Sequence, residues 1–161
     1  MTADVLREQL ELRRVAPEIE HGLAEFFATL VASGDDRTFH PHPFTPEAAA
    51  ERARYRGLDV YCVATVAGRV LGYGMLRGWD EGYAIPSLGI AIHPAARGVG
   101  LGRLLMTYLH CEARRRGAPH IRLKVYPDNA AAVALYRSLG YAFDRLEDGQ
   151  LVGHVVLAAR E

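Results

Sequence analysis

The stretch Arg97-Gly98-Val99-Gly100-Leu101-Gly102-Arg103 sets a glycine at every second position between two arginines. Without Cβ atoms the backbone there can take positive φ and turn successive N–H groups onto one anion. A strand-like run, residues 88–92, precedes it and stops at His93-Pro94, and a run of helical periodicity follows to residue 116. A helix start offers unpaired amides and the positive end of a dipole. Strand, glycine turn, helix start and flanking arginines together suit a diphosphate. Two common phosphate loops do not fit. A nucleoside triphosphatase loop ends in Gly-Lys-Ser/Thr, whereas this one ends Gly102-Arg103-Leu104. A dinucleotide loop needs Gly-x-Gly-x-x-Gly; here the third glycine comes one place early, and no acidic residue follows the next strand at the ribose position.

About 30 residues on, a second pattern appears: a strand, Leu123-Lys124-Val125-Tyr126, then Pro127-Asp128-Asn129, then an alanine-rich helix running through Tyr136 to Leu139-Gly140-Tyr141. The two patterns together resemble the GNAT superfamily of acetyl-CoA-dependent N-acyltransferases. That family's acyl-CoA loop reads Arg/Gln-x-x-Gly-x-Gly/Ala, which residues 97–102 satisfy, and its second signature is the strand, asparagine and helix ending Tyr-x-x-x-Gly-Phe/Tyr. The resemblance spans nearly the whole chain. It implies that Arg97, Gly98, Val99, Gly100, Leu101, Gly102 and Arg103 cradle the pyrophosphate of acetyl-CoA. The backbone of Ile90 and Ile92 would pair with the pantetheine arm in a gap between the fourth and fifth strands. Asn129 would bond that arm or fix its own loop, and Tyr136 would reach the thioester sulfur as acid or anchor.

Acyl transfer to nitrogen needs a neutral amine, a donor for the developing oxyanion and a proton for the departing thiolate. A strand N–H near Ile92 suits the second need and the Tyr136 hydroxyl the third. The base is less evident. Many relatives carry a glutamate on the strand before the phosphate loop, whereas Ser87-Leu88-Gly89-Ile90-Ala91-Ile92 has no carboxylate. Glu81, Asp80, His40 and His42 are the nearby candidates, Glu81 first among them, and attack by an amine already neutral is the alternative. His93, before Pro94, reads as structural.

The resemblance implies that the first two helices line the acceptor cleft, which sets two segments where they could choose the acceptor. Phe39-His40-Pro41-His42-Pro43-Phe44 joins the first two helices, and Arg77 to Tyr83, with Trp79, Asp80 and Glu81, ends the central hairpin. Rings beside charged or imidazole groups suit a small polar amine, an amino sugar being one class. The rival readings are a proline-stiffened surface loop, an acetyltransferase acting on a protein N-terminus or lysine, and a non-catalytic acyl-CoA-binding module. As a metal site His40-x-His42 lacks companions, so no metal is expected.

These residues are held by elements in the order β α α β β β α β α β β. Residues 8–15 alternate as a first strand. Pro17 opens a helix with Ile19, Leu23, Phe26, Phe27 and Leu30 at helical spacing, and Thr45-Pro46 starts a second that ends near Gly57. Residues 60–67 and 70–76 read as a hairpin turning at Gly68-Arg69. Residues 100–116 form an amphipathic helix with Leu101, Leu104, Leu105, Tyr108 and Leu109 inward. Strand 120–126, helix 129–139 and a closing hairpin (141–145 and 151–158) complete the chain. The class is α+β in one domain, residues 1–161. The resemblance sharpens this to a central mixed, mostly antiparallel sheet of six to seven strands flanked by about four helices and splayed at strands 4 and 5.

Across 161 residues, 19 basic and 19 acidic side chains cancel, which argues against a nucleic-acid binder. The cancellation hides an asymmetry. Residues 1–36 hold eight acids against three arginines, while residues 93–125 hold seven cations against Glu112 alone, over the expected coenzyme site. Arg114 to Arg116 in that run also fit a helix C-terminus. Of the 19 cations 18 are arginine, which looks like nucleotide-composition bias. Cys62 and Cys111 have no metal-like spacing and read as buried free thiols in a reducing compartment. Residues 1–10 lack the apolar core of a signal peptide, and the longest apolar run falls far short of a bilayer span. A cytoplasmic monomer or homodimer, with no membrane partner, is the expectation.

Overall fold

The computed structural model describes residue 3 and residues 7–158. Residues 1, 2 and 4–6, half of the N-terminal stretch read above for a signal sequence, therefore lie outside the described residues, as do residues 159–161. The elements are β1 (Leu10–Arg14), α1 (Glu20–Ser33), α2 (Pro46–Ala53), β2 (Val60–Val66), β3 (Arg69–Arg77), β4 (Ser87–Ile92), α3 (Leu101–Arg115), β5 (His120–Val125), α4 (Ala130–Ser138), β6 (Ala142–Glu147) and β7 (Gln150–Val156). Seven strands form one sheet in the order β1-β2-β3-β4-β5-β7-β6. Every neighbouring pair is antiparallel except β4 and β5. With the four helices given above, this is the mixed, mostly antiparallel sheet that the sequence led us to expect.

The parallel pair is joined at one place only. Ser87 stands opposite Arg122, and the Arg122 amide donates to Pro86 O at 3.0 Å. Beyond that point β4 and β5 diverge, and the wedge between them is the architectural basis of the site. The two sheet faces carry separate cores. On one, Leu101, Leu105, Met106 and Leu109 of α3 pack with Val133 and Tyr136 of α4 over Ile121, Leu123 and Val125. On the other, Leu23, Phe26, Phe27 and Leu30 of α1 and Ala48 and Ala49 of α2 cover Tyr61, Val63, Tyr73 and Met75. Each fully buried large side chain contributes about 1.5–3 kcal/mol of transfer free energy, so both helix layers are fixed firmly against the sheet.

Several boundaries differ from the sequence reading. Thr45 caps α2 as expected, its hydroxyl accepting from Ala48 N at 3.1 Å, but the helix ends at Ala53 rather than near Gly57. The chain leaves the helix because the Asp80 carboxylate captures the Tyr55 hydroxyl and the Leu58 amide. The β2–β3 turn is Ala67-Gly68, with φ of 50° and 79°, instead of Gly68-Arg69. Two successive left-handed residues are what a two-residue hairpin turn requires, and β2 carries a bulge at Ala64/Thr65 that shifts the register. Leu104 is 39% exposed rather than inward, because Met106 and His110 rotate the buried stripe of α3 away from it. Cys62 is buried with a thiol pKa pushed up to about 12 by desolvation, whereas Cys111 is exposed on the outer side of α3.

Candidate active site

The wedge begins with backbone. The His93 amide turns to β3, donating to Leu71 O at 2.8 Å. Because successive strand amides point to opposite edges, those of Ile92 and Ile90 face the gap toward β5. Their side chains lie on the α3–α4 face and line a cavity of about 710 Å³ with Gly98, Gly100, Gly102, Asn129 and Tyr136. At its outer end Gly98 and Gly100 take φ of 81° and 90°, a region that an L side chain rarely enters. The first helical hydrogen bond of α3 runs from Leu104 N to Gly100 O at 3.0 Å, leaving the amides of Leu101, Gly102 and Arg103 without helical partners. A Cβ on Gly102 would stand 3.3 Å from Leu135 Cδ2, so the third glycine sets how closely α3 approaches α4.

The two bracketing arginines are held rather than loose. Arg97 pairs with Asp35 at 2.9 Å and donates to Ile92 O at 3.2 Å, and Arg103 donates to Ser138 Oγ at 2.8 Å. Val99 points to solvent at 79% exposure, so it can offer only its backbone. Asn129 caps α4 with its side-chain oxygen, accepting from Ala132 N at 3.3 Å, and lines the same cavity. Tyr136 lines it from α4. Burial raises its hydroxyl pKa to about 12, so at neutral pH the group is an intact O–H donor.

A second cavity, about 810 Å³, opens on the other side of the wedge. Phe39, His40, Arg77, Glu81 and Tyr83 line it from the helix loop and the hairpin end, and Arg122, Lys124, Arg145 and His154 line it from β5, β6 and β7. Thr38, Phe39 and Lys124 border both cavities, so the two meet there. Phe39 can lie on β4 because residue 89 is glycine: a Cβ there would stand 2.8 Å from its ring. His40 Nε2 and the Tyr126 hydroxyl, 3.2 Å apart, tie the same loop to the end of β5.

Three residues expected at the acceptor side do not reach it. His42 is held between Pro43 O at 2.7 Å and the Tyr73 hydroxyl at 2.9 Å, ringed by Phe27 and Phe44, and burial lowers its pKa. Trp79 lies under the Arg116 guanidinium, 4.8 Å from its ring centre, half-buried against the core on the α3 face. Asp80 is turned toward Tyr55 and Leu58, and the Tyr55 hydrogen bond lowers its pKa. One carboxylate causes both departures: Asp59 Oδ1 accepts from the amides of Gly78 (3.0 Å), Trp79 (2.9 Å) and Asp80 (3.3 Å) and rolls the turn over. Glu81, at the end of that turn, remains in the cleft. The cationic wall from β5 and β6 was missed as a site, although Arg122 and Lys124 alternate with Ile121, Leu123 and Val125, a pattern that sets them on one face of a strand.

Fold and site together define a class: a mixed sheet opened at its parallel strand pair, with a glycine turn and a helix N-terminus at the end of the opening. Residues 27–141 match the family model described as the acetyltransferase (GNAT) family, and the chain belongs to that family. An acetyltransferase from Sodalis glossinidius is 35% identical over 96 residues, a match covering 60% of this chain and 66% of that protein, just under two thirds of its length. Among solved structures, the GCN5-related N-acetyltransferase from Kribbella flavida superposes with a TM-score of 0.75 at 26% identity over 92% of this chain and 98% of its own. The yncA protein from Salmonella typhimurium, solved with its cofactor acetyl-CoA, shares the fold with a TM-score of 0.76 at 22% identity over 95% and 96% of the two chains. No described helix is long and apolar enough to cross a membrane. Among the described residues no group of three or more His, Cys, Asp and Glu side chains is arranged to hold a metal.

Proposed function

We propose that this chain moves the acetyl group of acetyl-CoA to the primary amine of a small polar molecule, an amino sugar being one acceptor class, by direct attack on the thioester. The observation that carries the reading is the meeting of two cavities at Thr38, Phe39 and Lys124, one ending in an anion cradle and the other lined by polar side chains. The glycine turn and free amides of residues 98–103 fit the pyrophosphate, and the gap-facing backbone of Ile90 and Ile92 fits an amide-bearing arm. When bound, acetyl-CoA supplies an activated acyl carbon: a C–N bond forms, the C–S bond breaks, and coenzyme A leaves as its thiol.

The protein's own groups divide the remaining work. The Ile90 and Ile92 amides are the donors turned toward a developing oxyanion. Tyr136 holds the proton that the departing sulfur needs. Glu81 and His40 stand in the acceptor cavity as the groups that take a proton from the amine, directly or through water. His42 and Asp80, committed elsewhere, are left out of this role. The loop over the cleft, held by His40 and Tyr126, favours a small acceptor over a protein N-terminus or lysine.

The test is a thiol-release assay with acetyl-CoA over amino sugars, polyamines, amino acids, aminoglycosides and short peptides. Turnover with at least one small amine is expected. Turnover with peptides alone would move the assignment to protein acetylation, and coenzyme binding with no turnover on any amine would make the chain a binding module.

A further inference from the structure

The acceptor cavity has an uneven charge. Four cations line it, Arg77, Arg122, Lys124 and Arg145, against the single lining carboxylate of Glu81. Three of the four share one anion on the same face of the sheet. Glu147 receives Arg122 at 2.7 Å, Arg145 at 3.2 Å and Lys124 at 3.9 Å, while Arg145 also approaches Asp144 at 3.5 Å. Two carboxylates thus face three cations on that wall. Arg77 stands apart on β3. It donates to Pro41 O at 2.6 Å and has no carboxylate partner among the described residues. A carbonyl fixes its direction without neutralising its charge.

The positions follow from topology. Arg122 and Lys124 are two apart on β5 and so share a face, and Arg122 stands opposite His154 of β7. Register in the β6–β7 pair sets Arg145 against Val152, itself opposite Lys124. The other face of β5 packs on α3 and α4, so these cations are presented toward the cleft. The coenzyme's phosphates have their own cradle at the far end of the other cavity, at residues 97–103. The second cationic group is therefore surplus to coenzyme binding.

We infer that the acceptor is an anionic amine, whose phosphate or carboxylate is held by Arg77, Arg122, Lys124 and Arg145 while its amine reaches the junction at Phe39 and Lys124. Planar guanidinium groups on opposite walls suit a tetrahedral or planar oxyanion. A cavity of about 810 Å³ holds far more than a small amino acid, which favours an amino sugar bearing a phosphate. The inference deepens the acetyl-transfer reading and rests on it.

The experiment uses two matched pairs, glucosamine with glucosamine 6-phosphate and alaninamide with alanine, in the full chain saturated with coenzyme A for binding and with acetyl-CoA for thiol release. In at least one pair the anionic member is expected to exceed the neutral one by about tenfold or more in affinity and in kcat/KM, as one charge-assisted contact allows. The pair that responds identifies phosphate or carboxylate as the anchor. The preference is expected to shrink in Arg77→Gln and Arg145→Gln and to fall with added salt in the unaltered protein, a readout that needs no variant to fold. Equal handling of both members in both pairs overturns the inference, as does a preference that neither substitution nor salt changes. Selective anion binding without thiol release keeps the anionic site and overturns the acetyl-transfer reading instead.

Discussion

The ring of Phe39 lies on the backbone of Gly89, so close that a Cβ on the glycine would stand 2.8 Å from Cε2 and 3.0 Å from Cζ. This contact seats an aromatic wall where the two cavities of the cleft meet. Alanine at position 89 must push the ring outward, and since Phe39 belongs to a loop, the ring is what gives. Gly89→Ala is therefore expected to raise the acceptor KM several-fold with a loss of stability of no more than about 1 kcal/mol, read by steady-state kinetics and a thermal melt. An unchanged acceptor KM would separate Phe39 from substrate.

At Gly100 a backbone φ of 90° falls within the proposed phosphate cradle. Gly100→Asp introduces a side chain where φ disfavours it and a negative charge beside the expected pyrophosphate. Affinity for coenzyme A measured by calorimetry is expected to fall on the order of a hundredfold, about 3 kcal/mol. Retained affinity in a folded Gly100→Asp protein would move the coenzyme elsewhere.

Tyr136 tests proton delivery. Removing the hydroxyl in Tyr136→Phe leaves the ring packing of α4 intact and takes away only the donor. A fall in kcat on the order of a hundredfold, with a smaller change in the KM for acetyl-CoA, is expected for lost acid catalysis. Since the hydroxyl titrates only at about 12, its ionisation puts no limb into the pH profile near neutrality. An unaltered kcat would leave Tyr136 a packing residue.

His110 supplies a pH-dependent element of stability away from the site. It is 6% exposed, it shares a hydrogen bond of 2.8 Å with the Tyr141 hydroxyl, and burial, assisted by the Arg114 charge, lowers its pKa from 6.5 to about 4. Below pH 6.5 the unfolded chain takes up a proton that the folded one refuses. The contribution is therefore complete above about 6.5 and is lost as pH falls toward about 4, amounting to roughly 3 kcal/mol at most. His42, also lowered by burial, acts in the same direction. Denaturant unfolding of His110→Gln is expected to show a shallower decline across that window, and an equal slope in both proteins would refute the assignment.

The glycine turn proposed for the coenzyme phosphates was legible in the sequence because its parts are contiguous: glycine spacing, helix start and flanking arginines all lie within residues 97–103. The cavity proposed for the acceptor was legible only in part. Phe39, His40 and Glu81 were found from local composition, but Arg122, Arg145 and His154 come from three strands and meet only because β7 inserts between β5 and β6. Trp79 and Asp80 carried the right chemistry in the right segment, yet Asp59, about 20 residues earlier in the chain, turns them away through three amide hydrogen bonds. Strand alternation placed the Arg122 and Lys124 side chains on one face; only the sheet order shows what that face looks onto.

The most direct test of the account is amide mapping by nuclear magnetic resonance as coenzyme A is added to nitrogen-labelled protein. The largest shifts are expected at Ile90, Ile92, Gly98, Gly100 and Gly102, with Asn129 and Tyr136 following, and only small ones at Arg77 and Arg145. Shifts concentrated at Arg77, Arg122 and Arg145, with the amides of residues 98–103 unmoved, would contradict the placement of the coenzyme in the β4–β5 wedge.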